Sequence, residues 1–277
     1  MLKTRVLTAI VMLAVFVPSL FMMSQFAWAL LMTALAAVAA WEWGGFMRLA
    51  AKARMAMGGL LAVLCLLLLF ITPGMLGAGL PSRLADALPL LLLASAFWAL
   101  LVPLWLRYKW PLGSGLRALL AGVLIILPTW VAIVQLRLPG PQFLLAVMAA
   151  VWLADIGAYF FGRMFGRHKL ALSISPGKTW EGAIGGGVIV LVYGLTLRQL
   201  LGHEQYPIWA WVLALVLLAT VSVIGDLFES LLKRQVGLKD SSGVLPGHGG
   251  VMDRIDSLTS VLPLAALLAL LLQEGVR

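Results

Sequence analysis

Long apolar runs dominate the sequence and restrict the folds open to it. Nine runs come close to the roughly 20 apolar residues that a helix needs to cross the hydrocarbon layer of a membrane. They cover residues 6–23, 26–47, 57–75, 88–106, 116–135, 142–161, 179–201, 209–228 and 251–272. Breakers such as Pro139, Gly140 and Pro141 separate the runs, and none alternates like a barrel strand. The sequence therefore predicts an all-α, polytopic integral membrane helix bundle of about nine transmembrane helices.

The composition excludes several classes of protein. Hydrophobic residues make up 62% of the 277 residues and charged residues only 11%, whereas a soluble domain is about a quarter charged. This balance excludes a soluble enzyme, a disordered protein and a disulfide-stapled secreted domain. The one cysteine, Cys65, lies inside an apolar run, and we expect a buried, inert thiol there.

The basic residues predict the orientation in the membrane. With the N-terminus in the cytoplasm, nine spans put sixteen of the 20 Lys and Arg residues on the cytoplasmic side. The exceptions are Arg83, Arg137, Arg198 and Arg277. We therefore expect a multi-pass protein of the bacterial inner (plasma) membrane type. The basic residues that give the net charge of +9 are accounted for by orientation in the membrane, so no nucleic acid partner is expected.

A cleaved signal peptide is an alternative for the first span. The segment before residue 6 is basic, and the stretch Ala27, Trp28, Ala29 resembles a small-residue cleavage site. The apolar run before that site is long. When the first span is retained, the loops after it that are rich in Lys and Arg all fall on the cytoplasmic side. Retention is therefore the preferred interpretation.

Acidic residues concentrate on the predicted cytoplasmic side. Eight of the 11 acids lie there or within spans: Glu42, Asp155, Glu181, Asp226, Glu229, Asp240, Asp253 and Asp256. Ionisable groups within a span are costly and usually mark function. Several of these acids lie with Lys and Arg near the ends of spans six to nine. Such a mixture is typical of metal ions held by carboxylates and phosphates held by basic side chains.

One helical stripe and one loop carry most of this signal. Asp226, Glu229, Ser230 and Lys233 are spaced i, i+3, i+4 and i+7, so they line one side of a helix. A simple salt bridge at the end of span eight would account for Glu229 and Lys233, but it accounts poorly for the deeper Asp226.

The loop after span eight is glycine-rich and ends where the last helix begins. Backbone N–H groups at such a helix start bind anions. Asp253 and Asp256 then follow at i and i+3. Ordinary helix capping requires only one acid, so capping alone does not account for the pair. His248 would be weak evidence without its neighbours.

A second glycine cluster has a different interpretation. Gly182, Gly185, Gly186 and Gly187 open span seven, where small residues let helices approach closely. We prefer this packing role to a phosphate-binding loop, because no strand precedes the cluster and no Gly-Lys-Ser/Thr ending follows it.

From residue 230 onward the sequence resembles a known signature. The residues run Ser230-x-Leu232-Lys233-Arg234-x4-Lys239-Asp240-x-Ser242-x2-Leu245-Pro246-x-His248-Gly249-Gly250-Val251-x-Asp253-Arg254-Ile255-Asp256. They resemble the complete signature of the phosphatidate cytidylyltransferases, also called CDP-diacylglycerol synthases. Shorter resemblances occur at 155–163, at 173–182 and at Trp41, Glu42 and Trp43. The resemblance is strongest over 150–260. We therefore expect one membrane domain, with N-terminal spans over about residues 1–140 and catalytic, C-terminal spans over about residues 141–277.

The resemblance implies an enzyme that converts CTP and phosphatidate to CDP-diacylglycerol and pyrophosphate. It implies Mg²⁺ as cofactor, with a second cation as an option, and a cytoplasm-facing site beside the membrane lipid. The expected metal ligands are Asp226, Asp253 and Asp256. The expected catalytic residues are Lys233, Lys239, Asp240, His248 and Arg254. The expected substrate-binding residues are Ser175, Lys178, Glu229, Ser230, Arg234, Gly249 and Gly250. A homodimer is also expected from the family.

Two other functions compete with this interpretation. A CTP-dependent lipid kinase of the polyprenol type would transfer the γ-phosphoryl group and release CDP instead of pyrophosphate. A transporter would also carry charges within its spans, but those charges should lie near mid-span at broken helices. Here they gather at one face, which disfavours transport, and a purely structural scaffold is less favoured still.

Overall fold

The structure is a computed structural model that describes residues 2–76, 81–202 and 205–274, most of them in helices. The first five helices are α1 (Leu2–Met22), α2 (Gln25–Phe46), α3 (Ala51–Ile71), α4 (Pro81–Ala96) and α5 (Val102–Tyr108). The others are α6 (Leu116–Gln135), α7 (Pro141–Phe165), α8 (Trp180–Leu200), α9 (Ile208–Val236) and α10 (Met252–Glu274). The strands β1 (Lys169–Ala171) and β2 (Ser175–Thr179) lie between α7 and α8.

The helices confirm the predicted fold class. In the described part of the chain, eight helices are long and apolar enough to cross a membrane. One of them, Ala87–Tyr108, joins α4 and α5 through the π-helical turn Phe97–Leu101. Pro103 follows this turn and has no N–H to donate, which favours such an irregularity. In α1 the apolar part, Val6–Met22, is shorter than a full span.

Helix α9 extends well past the predicted end of its apolar run. It has 29 residues, about 44 Å at the usual rise per residue, and the hydrocarbon layer is only about 30 Å thick. The extra turns carry the polar stripe that begins at Asp226. The helix ends at Gly237, whose φ of 75° is a left-handed conformation that glycine adopts easily.

Aromatic packing fixes the polar end of α9. The ring of Phe228 lies 5.3 Å from that of Trp105, 5.7 Å from that of Trp98 and 6.3 Å from that of Phe97. These edge-on contacts hold the apolar side of α9 against the π-helical turn and α5. The opposite side, with Asp226 and Glu229, therefore faces the site described below.

At each of the two membrane faces, hydrogen bonds join helix ends that the sequence assigns to the same side. On one face, the Arg48 guanidinium donates to the Gln235 carbonyl at 3.2 Å, and the Leu112 N–H donates to the Gln235 side chain at 3.1 Å. On the other face, Arg137 donates to the Leu20 carbonyl and to the Gln25 side chain, each at 2.8 Å. We call the first of these faces the site face.

A short antiparallel hairpin precedes α8, where the sequence predicted no strand. Lys169 pairs with Thr179 and Ala171 with Ser175. Its strands have only three and five residues, too few to show a sustained hydrophobic alternation. Thr179 then accepts the Gly182 N–H at 3.2 Å and caps α8. This cap fixes the hairpin on the site face.

The glycines of α8 let another helix, α7, approach closely, as their small size predicts. A Cβ added to Gly186 would lie 2.5 Å from the Ala154 carbonyl oxygen, and one on Gly182 would lie 2.7 Å from that of Ala158. At Gly185 it would meet the ring of Phe161 at 2.2 Å. Gly187 differs, because it faces open space. The packing interpretation is confirmed for the first three glycines, although one of the reasons for it is wrong, because β2 does precede the cluster.

The stretch that resembles a cleavage site is packed into the bundle at the start of α2. Trp28 and Ala29 lie inside the helix and are fully buried. The indole of Trp28 also faces the guanidinium of Arg137. Retention of the first helix stays a prediction. Cys65 is buried, as its sequence context predicts.

Candidate functional site

A cavity of about 690 Å³ opens on the site face between α7, α8, α9, α10 and the hairpin. Most of the charged groups in its wall are ones that the sequence selected. Its lining includes Asp155, Tyr159, Arg163, Ser175, Lys178, Thr179, Asp226, Asp253, Arg254 and Asp256. Aspartates from three helices therefore converge here with Lys and Arg. Such a mixed wall suits an anionic ligand accompanied by a cation.

Within this cavity the hairpin contacts α9 through an ion pair. The Lys178 ammonium on β2 pairs with the Asp226 carboxylate, and each side chain keeps about a quarter or more of its surface exposed. The other Asp226 oxygen lies 3.4 Å from the Ser230 hydroxyl, one turn further along α9. Lys178 is thus held beside an acid while remaining open to the cavity.

The predicted stripe on α9 divides into a cavity part and a buried part. Asp226 lines the cavity. Glu229 is buried and accepts a hydrogen bond from the Lys233 ammonium at 3.0 Å. Lys233 also donates to Asp253 on α10 at 2.6 Å. It therefore links α9 to α10 and does not line the cavity.

Asp253 connects three parts of the site. One carboxylate oxygen accepts a hydrogen bond from the Lys233 ammonium. The other accepts hydrogen bonds from the backbone N–H groups of Ser241 and Gly250, each at 2.8 Å. That second oxygen also accepts the Ser241 hydroxyl at 2.9 Å. The Asp253 side chain is nearly buried by these partners. It fixes the loop between α9 and α10 to both helices.

Outside the glycine-rich loop at 248–250, the structure separates the predicted residues into three groups. Six line the cavity: Ser175, Lys178, Asp226, Asp253, Arg254 and Asp256. Three others, Glu229, Ser230 and Lys233, support that wall from within α9. Arg234, Lys239 and Asp240 are exposed and lie outside the lining.

The glycine-rich loop has a different arrangement from the anion site that its sequence suggests. The Gly250 N–H, predicted to bind substrate, donates to Asp253. Gly249 has a φ of 83°, which a side chain would strain. The Nδ1 atom of His248 is buried without a hydrogen-bond partner among the described residues. Substrate binding by these residues stays a prediction.

Two acids without a definite role from the sequence also belong to the site; the family resemblance leaves Asp155 as an option for orienting a base or binding a second cation. Asp155 on α7 lines the cavity beside Asp226. Glu42 on α2 is fully buried and accepts backbone N–H groups at the start of α10. Their sequence signal was their position as ionisable groups within spans. What the sequence lacked was any indication of which helix each acid faces.

The chemistry of the wall, more than its present geometry, suits a divalent cation. Asp155, Asp226 and Asp256 lie close enough to repel one another, and Mg²⁺ prefers carboxylate oxygens. Over residues 2–76, 81–202 and 205–274, however, no three Asp, Glu, His or Cys side chains are arranged around one point as metal ligands. Asp226 and Asp253 face lysines instead.

Comparison with known proteins covers nearly the whole chain. A family model for the cytidylyltransferase family matches residues 3–272. The chain belongs to this family. It is similar to a phosphatidate cytidylyltransferase of Pseudomonas aeruginosa, with 40% identity over 97% of each chain. It is also similar to the phosphatidate cytidylyltransferase of Haemophilus influenzae, with 39% identity over 95% of this chain and 96% of the other.

A shorter match points to the same family. A phosphatidate cytidylyltransferase of Staphylococcus haemolyticus is 44% identical over 48% of this chain and 50% of its own. These three relatives carry the same name, so the alternative of a lipid kinase of the polyprenol type is not favoured. The family resemblance seen in the signature at 230–256 is confirmed.

Proposed function

We infer that this multi-pass membrane protein transfers the cytidylyl group of CTP to phosphatidate, giving CDP-diacylglycerol and pyrophosphate. Its similarity over 97% of the chain to a relative of that activity supports this function most directly. The cavity supports it independently, because both substrates are anionic phosphates and the wall presents Lys178 and Arg254. A lipid substrate also fits a site at the end of membrane helices.

The reaction joins two phosphates. A phosphate oxygen of phosphatidate attacks the α-phosphorus of CTP, a new P–O bond forms, and the bond to the β-phosphate oxygen breaks to release pyrophosphate. Such transfers depend on positioning and charge neutralisation more than on covalent help from the protein. The protein must therefore hold two anions together and neutralise their charge.

We assign charge neutralisation to the basic groups of the cavity. Lys178 and Arg254 face the cavity directly and would contact the triphosphate or the lipid phosphate. Lys233 acts from behind the wall, because Glu229 and Asp253 occupy its ammonium. Phosphate contacts by Arg234, Lys239 and His248, and a catalytic role for Asp240, are further proposals that require the loop to approach the ligand.

A divalent cation completes the proposed site. Asp226, Asp253 and Asp256 would hold Mg²⁺, and Asp155 lies beside them as a ligand for a second cation. When bound, the cation supplies positive charge at the phosphates of CTP. Lys178 is already adjacent to Asp226 and would take a phosphate oxygen in place of that carboxylate. A bound cation would reduce the repulsion between the aspartates.

The assay that tests this function uses purified protein in detergent with CTP labelled in the cytosine ring, phosphatidate and Mg²⁺. Formation of labelled CDP-diacylglycerol with equal amounts of pyrophosphate is expected. Release of labelled CDP with a phosphorylated lipid would identify a kinase and contradict the proposal. Omitting phosphatidate provides the background rate.

Replacing Lys178 by Met should weaken substrate binding. A charge-assisted bond contributes about 1.5–3 kcal/mol, so its loss should raise KM for CTP or phosphatidate by roughly 10- to 100-fold. Lys169 is the matched control, because it is an exposed lysine of the same hairpin and does not line the cavity. Equal effects of Lys178→Met and Lys169→Met would indicate a general surface charge and not a binding contact.

We also propose that the site face lies in the cytoplasm of a bacterial inner membrane and that the protein forms a homodimer. The excess of Lys and Arg near that face supports the orientation, and cytosolic CTP requires it. The homodimer rests on the family resemblance alone.

Cysteine labelling tests the orientation. Leu238 follows α9 on the site face and Leu201 follows α8 on the other face, and both are exposed. In a Cys65→Ala background, a membrane-impermeant maleimide added to intact cells should label Leu201→Cys and spare Leu238→Cys. The reverse pattern would place the site face outside. Labelling after lysis provides the control for reactivity.

A further inference from the structure

Glu42 lies near the end of α2, far in sequence from the rest of the site, and its side chain has no solvent exposure. One carboxylate oxygen accepts the Val251 N–H at 2.9 Å and the Ser242 hydroxyl at 2.5 Å. The other accepts the Met252 N–H at 2.7 Å and lies 3.3 Å from the Ser241 hydroxyl. All four donors belong to the loop 237–251 or to the first residue of α10.

The charge of this carboxylate is balanced by dipoles. In the part of the chain that the structure describes, Glu42 forms no ion pair with Lys or Arg. A buried carboxylate is costly unless hydrogen bonds satisfy it. Two N–H groups at the start of α10 and the Ser242 hydroxyl do so, and the positive end of the helix dipole favours an anion there. Glu42 therefore caps α10 from another helix.

This cap changes what the start of α10 is available for. The N–H groups of residues 250, 251 and 252 would be the natural place for a substrate phosphate. Asp253 accepts the first of them and Glu42 accepts the other two. The helix start is thus filled by the protein's own carboxylates, so its function here is to fix the loop.

Ser241 connects this cap to the cavity. Its hydroxyl lies between the two carboxylates, 2.9 Å from Asp253 and 3.3 Å from Glu42. A hydroxyl has one proton, so Ser241 donates its hydrogen bond mainly to the nearer oxygen, that of Asp253. The Glu42 carboxylate packs against the other side of the same hydroxyl. Any movement of the loop away from Glu42 therefore moves two of the bonds that orient Asp253.

We propose that Glu42 is a positioning residue for catalysis. It fixes the loop and the start of α10, and through Ser241 it fixes the Asp253 carboxylate that lines the cavity. This role rests on the proposed function, because it gives Asp253 a part in cytidylyl transfer. Glu42 itself does not line the cavity, so it acts through Asp253 and the loop.

A reporter on the loop makes this role measurable apart from turnover. Gly243 is exposed, and a side chain added there meets nothing within 4 Å. Cys65 is buried and is replaced by alanine, so a nitroxide spin label on Gly243→Cys reports loop mobility alone. The labelled parent protein must form CDP-diacylglycerol. If it does not, the proposed function fails and the positioning role is not the cause.

Glu42→Gln should free the loop and slow catalysis. An amide keeps one acceptor oxygen, so either the Val251 or the Met252 N–H loses its partner and meets an NH₂ group. The label should become mobile. We expect kcat to fall by about 100-fold, because a displacement of about 1 Å at a catalytic group has that effect. KM for CTP should change little, since Glu42 does not touch the cavity. Glu42→Asp keeps the charge and should recover part of kcat.

Thr33→Val is the matched control on α2. Thr33 is buried and bonds to the Ala29 carbonyl and the Trp130 indole, away from the loop, so its loss should leave label mobility and kcat near the parent values. If Glu42→Gln does not accumulate, Ser242→Ala provides the same test by removing the 2.5 Å contact. A mobile label with reduced kcat supports the proposal. An immobile label, or a mobile label with parental kcat, overturns it.

Discussion

Asp253→Asn is expected to remove nearly all turnover from a protein that still inserts and purifies normally. The amide keeps the shape of the side chain, so one oxygen can still accept the N–H groups of Ser241 and Gly250. Its NH₂ group then faces the Lys233 ammonium, and the negative charge at the cavity is lost. Losing one preorganised charged group in an active site lowers kcat by about 100- to 1,000-fold. Measured initial rates of pyrophosphate release test this directly.

The dependence on Mg²⁺ separates a ligand role from a purely structural one. If Asp253 contributes to cation binding, the remaining activity of Asp253→Asn should require more Mg²⁺ for half-maximal rate. Asp86→Asn is the matched control, since residue 86 lies near the start of α4, at the opposite face. Wild-type rate and Mg²⁺ dependence in Asp253→Asn would remove this residue from the site.

The membrane-spanning architecture was predictable because the hydrocarbon layer imposes its own thickness. Eight of the nine predicted runs correspond to described helices that are long and apolar enough to cross a membrane, and α1 is the shorter ninth. The helix ends that Arg48 and Arg137 join lie on shared sides, as predicted. The errors fall where the membrane no longer imposes the pattern. Helix α9 continues to Val236 because its polar stripe remains helical beyond the apolar run. The hairpin was missed because its strands lie outside the apolar runs and are short.

The candidate site was predictable in its membership and less so in its connections. Spacing along single helices, together with the family signature, selected Asp226, Asp253 and Asp256, and all three line one cavity. The pairing of Lys178 with Asp226 depends on how the hairpin packs on α9, which no local pattern encodes. For Lys233, the i,i+4 pair with Glu229 was readable from the spacing, whereas the contact with Asp253 on α10 was not.

Glu42 shows the limit of sequence analysis most clearly. Its partners lie about 200 positions away in the chain, so the sequence shows only an acid within an apolar run. Ser242 of the signature has a visible function once the partner is known, because it and its neighbour Ser241 both contact this carboxylate. The short Trp-Glu-Trp segment and the C-terminal signature are therefore parts of one structural unit.

Gly250→Ala is expected to disable the site as severely as loss of an acid. A Cβ at residue 250 would lie 2.1 Å from the Ser241 hydroxyl oxygen and 2.2 Å from a Glu42 carboxylate oxygen, closer than real contacts allow. Neither atom can move freely, because Ser241 bonds to Asp253, and Glu42 bonds to the first N–H groups of α10. Overpacking of this kind costs about 1–3 kcal/mol, and here the loop must open to accommodate it.

Opening of the loop moves Asp253, so kcat of Gly250→Ala should fall by about 100-fold or more. Gly243→Ala is the matched control in the same loop, because its added methyl group meets nothing within 4 Å and should leave kcat near wild type. The helices carry most of the apolar packing, so both variants should purify from the membrane with similar thermal stability of the bundle. Turnover at saturating CTP and phosphatidate compares them. Equal rates for the two variants would contradict the close packing of Gly250 between Ser241 and Glu42.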